Sequence, residues 1–192
     1  MEIIKQEKIS VDEIVSALKN GAVLVLPTDT VYGLVCDATN NEAVEKIFRI
    51  KQRDKSKTLP IFVEDVRMAK EHAVISGGQE EFLKKNWPGA VTVVLERKDG
   101  LSALVYMDNT IAMRQPKYNL IIDIIKSLGK PLAQTSANIS DRMSLTQIRE
   151  VINTFSETAD KPDLIVDAGD LPKNEPSAII DLTKEEIKIL RK

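Results

Sequence analysis

The chain has 192 residues, 43% hydrophobic, 29% charged and 4% aromatic, a length that suits one domain. Its 27 Lys and Arg against 29 Asp and Glu leave a net charge of −2, which excludes a globally basic nucleic-acid binder but not a local basic site. Eight Gly and eight Pro are too few for a largely disordered chain, and a lone cysteine, Cys36, excludes an internal disulfide and a structural cysteine-based zinc site.

The opening MEIIKQEKIS interleaves charges with apolar residues and has no signal-peptide core. Ser10-Val11-Asp12-Glu13 reads as a capping box, Val11, Ile14, Val15 and Leu18 form one helical stripe, and Gly21 stands where that helix ends. The run Ala22–Leu26 is short and β-branched, as in a buried central strand. It is also the longest purely apolar stretch, far below the ~20 residues of a membrane span, so a cytoplasmic protein is expected. Further helices are predicted over Asn41–Gln52, Val66–Glu71, Glu80–Lys85, around Leu120–Leu128 and over Thr146–Phe155. Strands are predicted at Pro60–Val63, Ala90–Leu95, Ile111–Arg114, Leu132–Thr135, Leu164–Val166 and Ala178–Leu182. Helices and strands alternate throughout with no repeat and no low-complexity linker, which predicts one α/β domain over residues 1–192 around one sheet.

The densest chemical signal is residues 46–57, K-I-F-R-I-K-Q-R-D-K-S-K, with six basic residues and one acidic. A charge run is ordinarily a solvated face, but Lys51 follows Ile47 by four and Phe48 by three, which turns it inward. A lone ammonium there is costly unless it meets an anion or a water-filled cleft. Arg53, Lys55 and Lys57 follow in an irregular loop, and together these cations can hold a polyphosphate. Pro27-Thr28-Asp29-Thr30-Val31-Tyr32-Gly33-Leu34 leaves the best strand at the rim of the usual α/β ligand crevice. Its hydroxyls, carboxylate and glycine can grip a small polar substrate, or simply satisfy their own backbone. Thr135-Ser136-Ala137-Asn138, with Ser140, Ser144 and Thr146 behind it before a helix, offers hydroxyls, an amide and helix-start N–H groups to an anion. No P-loop or G-x-G-x-x-G is present. The only histidine, His72, suits a surface or partly packed role, Cys36 a small buried one, and Trp87 packing against the following turn and strand. One His and one Cys support no catalytic triad, which leaves chemistry by positioning and charge.

Taken in order, PTDTVYGL, the K-Q-R after a helix, WPGAVTVVL, RQP, TSANIS and SAIIDLT resemble the YrdC-like family, over roughly residues 10–191. The match is to its short, single-domain threonylcarbamoyl-AMP synthases. The resemblance implies an open, twisted, mixed α/β sheet with helices packed on it around a large basic cavity. It implies formation of threonylcarbamoyl-adenylate and pyrophosphate from L-threonine, bicarbonate and ATP. That product feeds N6-threonylcarbamoylation of adenosine 37 in tRNAs reading codons that begin with A, completed by a downstream threonylcarbamoyl-transferase complex. By position, Thr30, Arg114 and Ser177 resemble the family's threonine contacts, and Lys51, Arg53, Ser136 and Asn138 its central tetrad. Arg53, Lys57, Thr110, Ser136, Asn138, Thr146 and Arg191 resemble nucleotide-side positions. Mg²⁺ is expected as a cofactor with ATP, held mainly by ATP and water, since no acidic cage is visible.

Four positions depart from the family pattern: Thr58 and Met143 replace prolines, Asp141 replaces a glycine, and Ala178 replaces a threonine. The exchange at Asp141 adds a negative charge on the nucleotide side. With one residue after Arg191, the additional C-terminal domain of longer members is not expected. The competing readings are a structured-RNA-binding module, or a weak RNA contact, using segment 46–57, and a carbamoyl-transfer domain of the hydrogenase-maturation type. The latter carries zinc-finger regions that one cysteine cannot supply.

Overall fold

The computed structural model describes residues 1–184 and 186–192. Ten strands run side by side in one mixed sheet, and two short ones join from the side. In chain order the strands are β1 (Glu2–Lys5), β2 (Leu24–Leu26), β3 (Gly33–Asp37), β4 (Ile61–Phe62), β5 (Ala73–Val74), β6 (Val91–Arg97), β7 (Tyr106–Met107), β8 (Thr110–Arg114), β9 (Leu132–Ser136), β10 (Leu164–Asp167), β11 (Ala178–Asp181) and β12 (Lys188–Arg191). Their order across the sheet is β1-β10-β2-β3-β9-β4-β8-β6-β11-β12, with β5 on β6 and β7 on β8. The expected mixture is present: β2, β3, β9 and β4 pair antiparallel in sequence, whereas β4–β8 and β6–β11 are parallel.

Among the described residues six α-helices complete the fold: α1 (Val11–Lys19), α2 (Asn41–Lys51), α3 (Val66–His72), α4 (Gly77–Asn86), α5 (Asn119–Leu128) and α6 (Ile148–Ser156). The capping box at Ser10 forms as predicted, its hydroxyl accepting from the Glu13 N–H and the Glu13 carboxylate accepting from the Ser10 N–H. Helix α5 buries Ile121, Ile124, Ile125 and Leu128 and packs against α1. Full burial of each such side chain is worth roughly 1.5–3 kcal/mol. Gly129 ends this helix at φ 71°, where a side chain would be strained.

Several expectations shift. Gly33–Asp37, read with the preceding loop, is a full strand, fully buried, and only residues 27–32 form the link from β2. Helix α4 starts three residues earlier than predicted because Ser76 and Gln79 form a second capping box ahead of two glycines. Strands β1 and β12, at the two sheet edges, were not predicted at all. Cys36 is buried, and burial pushes its thiol pKa up. Trp87 packs as expected, its ring N–H donating to Val91 O at 2.7 Å. Among the described residues no helix is long and apolar enough to cross a membrane.

Alternation decides where the site lies. Ile61, Val93, Leu95, Ile111, Met113 and Ala133 point into the core and are at most 1% exposed. Their neighbours Pro60, Thr92, Val94, Thr110, Ala112, Arg114 and Gln134 line a cavity on the opposite face.

Candidate functional site

The cavity has a volume of about 660 Å³. Pairing registers put Gln134, Pro60, Ala112, Val94 and Asp181 in one row across β9, β4, β8, β6 and β11. At ~4.8 Å between strands that floor is ~19 Å long. Its central residues are proline, alanine and valine, so bulk is low where a ligand would lie. The walls are polar. Thr30, Arg53, Lys57, Thr110, Arg114, Ser136, Ser177 and Arg191, all selected from sequence, line it together.

Arg114 marks one end. It is 3% exposed, yet its guanidinium is fully engaged on one side: Nη2 meets Asp29 Oδ2 at 2.7 Å, Nε donates to Gly89 O at 2.8 Å, and Nη1 approaches Thr30 Oγ1 at 3.4 Å. The Phe62 ring lies 5.8 Å from the guanidinium carbon. Glycine is needed at residue 89 by the turn itself, since a Cβ would sit 2.7 Å from Asn86 O. Beside Arg114, the Ser177 and Thr92 hydroxyls are 2.8 Å apart and buried.

The Pro27–Tyr32 link satisfies its own backbone, one of its two sequence readings, through Thr28. Thr28 closes the backbone turn, accepting from the Thr30 and Val31 N–H groups and donating to Val31 O at 2.7 Å. Thr30 instead faces the cavity. Tyr32 anchors the link from beneath, donating to Gly169 O at 2.6 Å and accepting from Ala168 N–H, and burial pushes its pKa up to about 12.

At the other end stand Arg53, Lys57 and Ser136. Arg53 donates to Lys57 O and Thr58 O and is half-buried. Lys57 reaches Asp141 Oδ1 at 3.2 Å across the mouth, both side chains being largely exposed. The Ser136 hydroxyl donates to Asn138 Oδ1 at 2.6 Å.

Lys51 is inward, as its helical position predicts, but it meets neither an anion nor a water-filled cleft. It lies behind the wall, 2% exposed, and its Nζ donates to Ser136 O at 2.7 Å, Asn138 O at 2.9 Å and Asn138 Oδ1 at 2.8 Å. Burial, then the charge of Arg53, push its pKa from the ordinary 10.5 down to about 7, with Asp141 opposing. Asn138 likewise sits behind the wall, its amide N–H donating to Arg142 O. Lys51 and Asn138 therefore shape the turn that presents Ser136.

Thr146 does not line the cavity, and its carbonyl accepts from Leu171 N–H. The start of α6 is no anion site for this cavity either, because the Asp170 carboxylate takes the Ile148 N–H at 3.0 Å. The basic run 46–57 is not a free positive strip: Lys46 pairs with Asp163, Arg49 with Asp160 and Lys55 with Glu45. His72 is half-buried outside the cavity, as expected. Sequence reading missed Thr92, Gln134, Asp108 and Asp181 as cavity residues, although they sit on or beside predicted strands. Period-two alternation outward from Arg114 would have reached Thr92 and Asp181 once the pairing was known.

An open mixed sheet bearing a cation- and hydroxyl-lined cavity, with one amino-acid-sized polar end, defines an α/β binding and group-transfer scaffold. The profile of the Sua5/YciO/YrdC family, described as "Telomere recombination", matches residues 16–192, and the chain belongs to that family. It is 30% identical over 183 residues to a threonylcarbamoyl-AMP synthase of Vibrio vulnificus, covering 93% of this chain and 96% of the relative. A mouse protein of the same name is 30% identical over 176 residues, 88% of this chain and 61% of the relative. The crystal structure of P. abyssi Sua5 complexed with L-threonine superposes with a TM-score of 0.89 at 30% identity, over 100% of this chain and 57% of the other. The chain thus spans about three fifths of the two longer proteins.

Proposed function

We propose that the protein is an L-threonylcarbamoyladenylate synthase, a nucleotidyltransferase that forms threonylcarbamoyl-AMP and pyrophosphate from L-threonine, bicarbonate and ATP for N6-threonylcarbamoylation of tRNA adenosine 37. One observation carries this reading. A single cavity has a buried arginine among hydroxyls at one end and, at the other, a guanidinium bonded to neutral carbonyls beside a serine hydroxyl. The first suits the carboxylate and side-chain hydroxyl of threonine, the second a triphosphate. The names of the relatives and the threonine bound to P. abyssi Sua5 support the same assignment.

Bound threonine gives its ammonium proton to solvent, and the free amine then attacks bicarbonate and water leaves, giving a carbamate. A carbamate oxygen then attacks the α-phosphorus of ATP in line and pyrophosphate departs. Arg114, Thr30 and Ser177 orient the amino acid so that its amine faces the nucleotide. Arg53 and Lys57 neutralise the triphosphate and the charge that grows on the leaving pyrophosphate, and Ser136 fixes a phosphate oxygen. Lys51 holds the Ser136–Asn138 turn in place. Thr110 and Arg191 are assigned to the nucleotide, Arg191 from a position bonded to Ser177 O. Magnesium arrives with ATP, held mainly by phosphate oxygens and water. The product passes to a downstream threonylcarbamoyl-transferase complex, and the reaction is placed in the cytoplasm.

The test is incubation with ATP, Mg²⁺, bicarbonate and threonine, following pyrophosphate and the mass of the adenylate. Both products should appear together and vanish when threonine or bicarbonate is omitted. Pyrophosphate release indifferent to both omissions overturns the assignment.

A further inference from the structure

The cations of the cavity are not equivalent. Among the described residues, Arg53 is bonded only to the carbonyls of Lys57 and Thr58, and Arg191 only to Ser177 O. Lys57 faces a carboxylate, but both partners are solvated. Arg114 alone is ion-paired with a carboxylate that is itself largely enclosed: the Asp29 side chain is 12% exposed, at 2.7 Å. Asp29 Oδ2 also accepts from the Lys117 N–H at 2.8 Å, which fixes the carboxylate in place. Its other oxygen, Oδ1, is buried and has no hydrogen-bond partner, so among the described residues no donor beyond Arg114 and the Lys117 N–H reaches the carboxylate.

Donor counting shows what remains. A guanidinium has five N–H donors, and three of those of Arg114 are taken, by Gly89 O, Asp29 and Thr30. One donor on each terminal nitrogen is left, the fork that receives a carboxylate. The fork carries almost no net charge, because Asp29 cancels it. A zwitterionic amino acid loses little in such a place, since its carboxylate is bonded and its own ammonium balances the charge. A polyphosphate needs uncompensated cations, which the cavity offers at Arg53 and at Arg191, the latter bonded to Ser177 O, but not at Arg114.

We propose that Asp29 is a specificity-determining residue: by compensating Arg114 at close range, it reserves that subsite for a neutral zwitterion and keeps polyphosphate out. This rests on the assignment of Arg114 to the substrate carboxylate. It matters because substrate and product both carry polyphosphates within one ~19 Å cavity. Without the compensation, pyrophosphate would occupy the amino-acid end as readily as its own.

The test is calorimetric titration with pyrophosphate and uses no turnover. Wild-type protein should bind one pyrophosphate per chain, at an affinity that added threonine does not weaken. D29N is nearly isosteric, and its amide oxygen still accepts from Arg114 and the Lys117 N–H. It should bind a second pyrophosphate at the freed fork, displaced by threonine, with affinity there raised about 10–100-fold, the worth of an added charged hydrogen bond. A folded D29N that still binds a single pyrophosphate overturns the proposal. So does a wild-type protein in which threonine and pyrophosphate compete, a result that needs no variant. Failure to form the adenylate from ATP, bicarbonate and threonine would overturn the proposed activity instead, leaving the pyrophosphate count to report on Asp29.

Discussion

Lys51 and Arg114 are both buried cations at the edge of one cavity, and the fold meets their charges in opposite ways. Around Lys51 it places three neutral oxygens, two of them main-chain carbonyls, and no anion within bonding distance. Around Arg114 it places a carboxylate, a carbonyl and a hydroxyl. Dipoles solvate an ammonium but do not cancel its charge, so burial leaves Lys51 titrating at about 7. A guanidinium stays protonated even where burial lowers its pKa, as it does for Arg114, and the carboxylate beside it offsets part of that burial. The region around residue 51 is thus a spring-loaded electrostatic support, and the region around residue 114 a fixed, neutral clamp.

The largest effect should come from removing the support. Lys51→Ala leaves three inward oxygens without their donor, so the Ser136–Asn138 turn loses its anchor. The adenylation rate should fall ~10²-fold or more, on the scale of a lost transition-state contact. Stability should fall with it by about 1–3 kcal/mol, seen as a melting shift of roughly 2–12 °C for a chain of this size. Arg53→Ala sharpens the contrast, because Arg53 faces the cavity and bonds only two loop carbonyls. Its rate loss should also approach ~10²-fold, with a melting point changed by less than about 1 kcal/mol's worth. Near-normal rates in both variants would remove this end of the cavity from the chemistry.

The pH dependence follows from the same contrast. Free protein keeps the Lys51 ammonium below pH 7 and loses it progressively above, whereas the unfolded chain keeps it to about 10.5. A triphosphate bound beside the turn raises the pKa again, so binding above pH 7 draws in a proton. ATP affinity should therefore weaken as pH rises past 7, by up to about tenfold per unit, with proton uptake measurable by calorimetry in two buffers. Lys51→Met should flatten the curve. A wild-type affinity that stays level from about pH 6 to pH 9 would mean that Lys51 holds its charge throughout.

What the sequence makes legible follows burial. The α2 stripe of Ala43, Val44, Ile47 and Phe48, which turned Lys51 inward, is buried as its spacing requires. Strands β4, β6, β8, β9, β10 and β11 announce themselves because one or both faces are apolar, whereas the two-residue strands β5 and β7 are too short to show a period. Edge strands β1 and β12 carry Glu2, Lys5, Lys188 and Arg191 and bury little, so periodicity gives them no signal. Of the eight cavity-lining residues chosen from sequence, Arg53 and Lys57 stood out by charge and Thr30 and Ser136 by lying at strand ends, whereas Thr110, Arg114, Ser177 and Arg191 took their roles from motif resemblance. What no spacing encodes is pairing across the sheet. Thr92 lies opposite Arg114, and Asp181 opposite Val94, only because β6 receives β8 on one side and β11 on the other. Likewise Asp29 was legible as a loop carboxylate, but its partner lies 85 residues away.

The smallest expected effect tests the open end of the cavity. Asp141 stands at φ 64°, a backbone region that glycine enters freely, and its carboxylate is 3.2 Å from the Lys57 ammonium. It also acts to raise the pKa values of both Lys51 and Arg53, so one exposed carboxylate acts on both cations assigned to phosphate, Arg53 and Lys57, and on Lys51 behind them. ATP must displace it from Lys57. An exposed pair of this kind is worth roughly 0.2–1 kcal/mol, so Asp141→Asn should lower the ATP KM by no more than about fivefold, leave kcat and the threonine KM unchanged, and lose its effect at high salt. Asp141→Gly removes the same charge and also relaxes the backbone. Equal decreases in the two variants assign the effect to charge, whereas a decrease confined to glycine assigns it to the shape of the turn. An ATP KM that rises in Asp141→Asn would mean that this carboxylate assists the nucleotide instead of competing with it, and the contrast between a compensated and an uncompensated end would no longer hold.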